Sequence, residues 1–132
     1  MFVDFWPTAT TDKEVIADKL NETKKVVFSN TLKKAPWGNW PEAEVINGTA
    51  ADAIKKLKQQ PGKNIVLWGS ISLVQSLLKE NLIDELHIQL CPVLTGGGRS
   101  FFPGAMNLSN LKLLEVTQYN TGTVFLSYAP AK

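Results

Sequence analysis

Apolar and polar residues change their spacing several times along this chain, and each change marks an element. Ile65-Val66-Leu67-Trp68 is a short continuous apolar run, the pattern of a strand buried on both faces. Gly69 breaks it, and Ser70 can accept from a free N–H of a first helical turn. Ile71, Val74, Leu77 and Leu78 then recur at helical spacing, which predicts a helix with one apolar face, closed by Asn81 in a left-handed conformation. From Glu85 to Leu90 the period drops to two: Leu86, Ile88 and Leu90 share one face of a strand, Glu85, His87 and Gln89 the other.

The flanking regions read the same way. Thr11-Asp12-Lys13-Glu14 is the pattern of a capping box before a short helix carrying Val15, Ile16 and Leu20 and ending near Glu22. Lys24 to Ser29 is rich in β-branched and aromatic residues and predicts a strand. Leu32 to Pro41, with Pro36, Gly38 and Pro41, reads as a loop, and Glu44 to Ile46 as a brief strand. Thr49 and Asp52 cap the next helix, with Ala50, Ala53, Ile54 and Leu57 inward. Leu111 to Gln118 and Thr123 to Tyr128 predict an antiparallel pair around Asn120-Thr121-Gly122. Strands alternating with helices, then strands alone, give an α/β domain over 1–132. Its sheet is expected to be mainly parallel with an antiparallel edge. Phe2, Val3, Phe5 and Trp6 are bulky for a terminus and are expected to pack on something, or to end an element begun upstream.

Composition narrows the classes. At 132 residues, 44% hydrophobic and 20% charged, the chain suits one globular domain with a substantial core. A net charge of +2 from scattered residues makes no case for nucleic acid or an acidic membrane surface. Cys91 is the single cysteine, so no internal disulfide forms, and a cytoplasmic setting is expected. The first residues lack the pattern of a secretory leader, and no window reaches the apolar length of a membrane helix.

Candidate chemistry sits where strands end. In open α/β sheets, ligands bind beyond the carboxyl ends of the strands. Those ends carry Ser29-Asn30-Thr31 with Lys33 and Lys34, then Trp68-Gly69-Ser70, then the loop containing Gly96, Gly97 and Gly98. Hydroxyls, a helix start and lysines describe a phosphate site. One His and one Cys make no zinc set, so no metal is expected. His87 and Cys91 lie about 13 Å apart on a strand, too far to act as base and nucleophile. Asp84-Glu85 reads as a helix-to-strand connector.

Ile-Val-Leu-Trp-Gly-Ser from Ile65, Leu-Leu-Lys-Glu-Asn-Leu-Ile-Asp-Glu-Leu-His-Ile from Leu77, and Pro-Val-Leu-Thr-Gly-Gly-Gly-Arg-Ser-Phe-Phe from Pro92 resemble the dihydrofolate-reductase-like family. That family includes the C-terminal reductase domain of bacterial riboflavin biosynthesis and stand-alone bacterial proteins of that kind. The resemblance covers essentially the whole chain. It implies a dihydrofolate-reductase-like three-layer fold with a mostly parallel central sheet, antiparallel C-terminal strands and the N-terminal strand missing. It implies NADPH as cofactor. Leu67, Trp68, Gly69, Ser70, Ile71 and Ser72 would line the pyrophosphate. Ser29, Asn30 and Thr31 would meet the adenosine ribose and its 2′-phosphate, aided by Lys33 or Lys34, and Gly96 and Gly97 would border the nicotinamide. The implied reaction is hydride transfer to a pteridine-like or pyrimidine-derived substrate, and the implied assembly is a homodimer. The chain lacks the family's Asp-Gly segment and its Gly-Arg-x-Thr-Tyr-like motif, and Trp68 stands where a second glycine is common. No catalytic acid is therefore assigned. The alternative is a non-catalytic nucleotide-binding or interaction domain that retains the scaffold.

Overall fold

A computed structural model describes residues 2–102 and 110–131. It is a mixed α/β chain that divides into two compact units, Met1–Ala53 and Ile54–Lys132.

The first unit opens with α1 (Phe2–Phe5) and a 3₁₀ turn (Trp6–Thr8). The Phe5 ring meets Trp6 edge-on at 5.2 Å, so the bulky N-terminal residues pack partly on one another. Thr11 to Glu14 forms turns rather than a capping box: the Thr10 carbonyl accepts from the N–H groups of Lys13 and Glu14 at 3.0 and 2.8 Å. Helix α2 (Ala17–Glu22) starts later than its sequence signal, with Ile16 at the N-cap and no side-chain cap. Ala17 and Asn21, one turn apart and both fully buried, fix its position. Packing of that face outweighs the local capping signal.

Strand β3 (Trp40–Ile46) is the centre of a three-stranded sheet, parallel to β1 (Val26–Phe28) and antiparallel to β2 (Ala35–Trp37). The stretch expected as a loop is thus a hairpin. Trp37 pairs with Trp40, and Gly38 supplies the positive φ, 56°, at the first position of a two-residue turn. Pro36 is tolerated because β2 is an edge. A Cβ on Gly38 would meet the Pro7 side chain at 2.6 Å, so the 3₁₀ turn closes directly over the hairpin.

Helix α3 (Ala50–Lys58) begins at the first unit's boundary and runs into the second. Its Thr49 hydroxyl donates to the Asp52 carboxylate, and Ile54 is buried as the pattern required. In the second unit, α4 (Ile71–Lys79) buries Val74, Leu77 and Leu78. Val74 and Leu78 form a core with Leu86, against which Leu67, Ile83, Phe101 and Tyr128 pack. Asn81 has φ 53° and ends α4 as expected. A second sheet follows in the order β4 (Leu86–Leu90), β6 (Val124–Pro130), β5 (Leu111–Gln118), antiparallel throughout.

Two further expectations change. Ile65 to Trp68 forms no strand and pairs with none of the described strands. Ile65, Val66 and Trp68 are 51%, 80% and 51% exposed, and only Leu67 packs on the core. An apolar run becomes a buried strand only where neighbouring strands accept its backbone groups. In consequence, the mainly parallel sheet is represented among the described residues by the β1–β3 pair, and the strands form two small sheets.

Candidate functional site

In the first unit, the relevant geometry lies where parallel β1 and β3 end. Ser29 continues the ladder, its N–H donating to the Ile46 carbonyl at 3.1 Å. Its hydroxyl accepts from the N–H groups of Thr31 and Leu32 at 3.3 and 3.1 Å, closing a tight turn. Asn30 Oδ1 accepts from the Gly48 N–H at 2.8 Å, and Asn47 donates to the Ser29 carbonyl. Ser29, Asn30 and Thr31 are thus gathered into one braced loop, with Asn30 and Thr31 exposed. Lys33 and Lys34 follow, also exposed. Asn47 and Gly48 are parts of this loop that the sequence marked only as the close of a strand.

The second unit holds the helix start. Gly69 has φ 81°, a conformation that side chains disfavour, and it turns the chain into α4. Ser70 is the N-cap as expected: its hydroxyl accepts from the Leu73 N–H at 3.4 Å and lies 3.5 Å from the Ser72 hydroxyl. Gly69, Ser70 and Ser72 are exposed, so no side chain among the described residues buries the tip. By helix geometry the first-turn N–H groups have no carbonyl a turn earlier, and they carry the positive end of the helix dipole. Leu67 anchors the approach in the core and Ile71 is half-buried, while Trp68 is exposed beside the turn.

Gly96 and Gly97 lie in an exposed stretch with no regular structure. The chain beyond them is tied back to α4. Gln75 Nε2 donates to the carbonyls of Ser100 and Phe101 at 3.0 and 3.3 Å, and Phe101 packs on the α4 core. Gln75 is therefore a positioning residue that periodicity could not reveal, because it is a polar position on the side of the helix.

No titratable residue lies between Ile65 and Gln75. A polar cluster lies elsewhere in the second unit, where β4 meets β6. The Ser127 hydroxyl donates to Glu85 Oε1 at 2.5 Å, and His87 Nε2 is 2.8 Å from the same oxygen. The His87 ring stands edge-on to Phe125 at 5.2 Å. The bond from Ser127, then that from His87, holds the Glu85 carboxyl below the ordinary carboxylate range. Because Ser127 addresses the carboxylate and not the imidazole, this is no nucleophile–base pair. Asp84, read as a connector, pairs with Lys58. Among the described residues, no group of three or more His, Cys, Asp or Glu is placed to hold a metal. None of the described helices is long and apolar enough to cross a membrane.

These features belong to a recognisable class. Residues 1–125 match the model of the RibD C-terminal domain, so the chain belongs to that reductase-like family. Among its relatives is the uncharacterized protein YyaP of Bacillus subtilis strain 168, 31% identical over 109 residues, covering 83% of this chain and 56% of YyaP. The uncharacterized protein YwjB of the same organism is 36% identical over 74 residues, covering 56% of this chain and 42% of YwjB. This chain thus spans about half the length of the curated relatives it matches. Among solved structures, a putative riboflavin biosynthesis protein from Shewanella sp. PV-4 superposes with a TM-score of 0.71 at 25% identity, covering 83% of this chain and 62% of that one. A pyrimidine reductase-like protein from Corynebacterium diphtheriae shares the fold, with a TM-score of 0.56 at 21% identity over 68% of this chain and 40% of that one.

Proposed function

We propose that this chain is a nicotinamide-dependent reductase domain that receives the diphosphate of NADPH at the start of α4. One observation carries the reading: an exposed helix tip behind a positive-φ glycine, flanked by the Ser70 and Ser72 hydroxyls. Such a tip fits an anionic diphosphate. Gly69 lets it approach the backbone, the first-turn N–H groups donate to it, and the dipole favours its charge. Bound there, the cofactor supplies the hydride, and the acceptor is a pteridine-like or pyrimidine-derived compound. The chain's own residues bind and orient: Leu67 and Ile71 set the height of the tip, Ser70 holds the first turn, and Gln75 fixes the segment that follows Gly96 and Gly97. The same reading gives the adenosine ribose and 2′-phosphate to Ser29, Asn30 and Thr31, and the nicotinamide edge to Gly96 and Gly97. It extends to the three-layer, dihydrofolate-reductase-like arrangement of the whole domain.

A second reading rests on the lack of any acid or base between Ile65 and Gln75. It is a domain that binds the nucleotide and leaves chemistry to others. Following NADPH oxidation with dihydrofolate, and separately with the pyrimidine intermediate of riboflavin synthesis, separates the two. Turnover of either supports the reductase. Saturable NADPH binding with no turnover supports the second reading, and the absence of binding removes both.

A further inference from the structure

We propose that Asn47 is a positioning residue that sets the chain's preference for a phosphorylated ribose, by fixing the loop after β1 so that it offers a ligand donors and cations alone. The inference rests on the cofactor reading above and concerns only the adenosine end, within the first unit.

The backbone ladder between β1 and β3 ends where the Ser29 N–H meets the Ile46 carbonyl. Two asparagines extend it. Asn30, on the β1 side, accepts from the Gly48 N–H, and Asn47, on the β3 side, donates to the Ser29 carbonyl. Each strand end thus lends one carboxamide to the other's backbone. Both orientations are dictated, because an N–H only donates and a carbonyl only accepts. Asn30 therefore keeps Oδ1 on the loop, and its donor end, Nδ2, is left for a ligand. The two lone pairs of the Ser29 hydroxyl take the Thr31 and Leu32 N–H groups. In its 3.4 Å contact with the Thr31 hydroxyl, Ser29 is then the donor, which leaves the Thr31 O–H to donate outward. Lys33 and Lys34 follow between two tethers, the Leu32 N–H on Ser29 and the Ala35 N–H on Glu42 Oε1 at 2.9 Å.

From Ser29 to Lys34 the loop contains no carboxylate. What remains for a ligand is an amide donor, a hydroxyl donor and two ammonium groups. A phosphate monoester accepts only and carries nearly two negative charges near neutral pH. A ribose 2′-hydroxyl also seeks an acceptor, the role a carboxylate takes where an unphosphorylated ribose is bound. The donor set therefore fits the phosphate. Asn47 acts one step behind it, since a loop already held does not have to be ordered when the ligand arrives.

Fluorescence titrations with NADPH and with NADH are run on the unaltered chain, on Asn47→Ala and on Asn30→Asp. A hydrogen bond to a charged group is worth roughly tenfold or more in affinity, so the unaltered chain is expected to prefer NADPH by at least that factor. Asn47→Ala is expected to weaken NADPH roughly tenfold through lost preorganisation and to leave NADH unchanged. A residue with only a structural role would weaken both alike. Asn30→Asp keeps the acceptor for the Gly48 N–H, and so the brace, but turns the donor end into an acceptor. It is expected to shift the preference toward NADH. Competition against NADPH on the unaltered chain needs no variant: adenosine 2′,5′-bisphosphate is expected to displace the cofactor roughly tenfold better than adenosine 5′-monophosphate. Equal affinity for the two cofactors or the two adenylates, a loss in Asn47→Ala shared by NADH, or an unchanged preference in Asn30→Asp overturns the proposal and leaves the diphosphate at α4 standing. Binding of neither cofactor by the unaltered chain removes the cofactor reading, and this inference with it.

Discussion

The Trp37 indole N–H donates to Asn21 Oδ1 at 2.7 Å, joining the hairpin to α2 through a fully buried amide. The other end of that amide donates to the Trp6 carbonyl at 2.8 Å, so one side chain satisfies two groups from distant segments. Asn21→Leu removes both bonds and strands the Trp37 indole N–H, while the Trp6 carbonyl keeps the Ala9 N–H at 3.1 Å. An unsatisfied buried group costs about 1–3 kcal/mol, and a loss of that size is expected. Urea unfolding followed by tryptophan fluorescence reads it. A midpoint unchanged from that of the unaltered chain contradicts this account of the first unit.

The helix start carries a smaller, graded expectation. Ser70→Ala removes the acceptor for the Leu73 N–H and is expected to cost about 1 kcal/mol, whereas Ser70→Gly costs only a few tenths. Gly69→Ala forces a side chain into φ 81° and is expected to cost about 1 kcal/mol by itself. Thermal melts of the three variants give the order. Equal stability of Ser70→Ala and the unaltered chain removes Ser70 as the working cap.

Acid behaviour follows from Glu85. Its folded-state pKa is lowered, first by the Ser127 hydroxyl and then by His87, so the unfolded chain binds the proton more readily. Its contribution is therefore complete above the ordinary carboxylate value of 4.5 and is lost as pH falls through the lower folded value. Glu85→Gln is expected to flatten the stability–pH curve between 4.5 and the lower folded value. Ser127→Ala removes the larger cause and flattens it in part. Melting temperatures measured from neutral pH downward check both, and an unchanged acid slope in Glu85→Gln contradicts the linkage.

Much of this fold was legible because its causes are local. Ile71, Val74, Leu77 and Leu78 mark α4 by spacing alone, and Ser70, Gly69 and Asn81 punctuate it by backbone preference. The β5–β6 pair was equally plain, with its turn at Asn120-Thr121-Gly122. What escaped depends on distant residues. Ile65 to Trp68 reads as a buried strand, yet it needs pairing partners that no local pattern can provide. Pro36 and Pro41 masked the hairpin between Trp37 and Trp40: Pro36 is permitted because β2 is an edge, which only the sheet order defines, and Pro41 is the second residue of β3. In the site, Gly69 and Ser70 were visible as a motif. Asn47, Gly48 and Gln75 were not, because each acts by bracing a loop far along the chain.

The central claim is that the start of α4 holds the cofactor's diphosphate, and direct titration with NADPH tests it best. Trp68 stands beside Gly69, so the chain's tryptophan emission is expected to change saturably with cofactor. Trp68→Phe should abolish most of that change, and Gly69→Val should abolish binding itself while the fold persists by circular dichroism. Emission that stays flat up to about 1 mM NADPH, the upper range of ordinary enzyme affinities, contradicts the account. So does a response that Gly69→Val leaves intact.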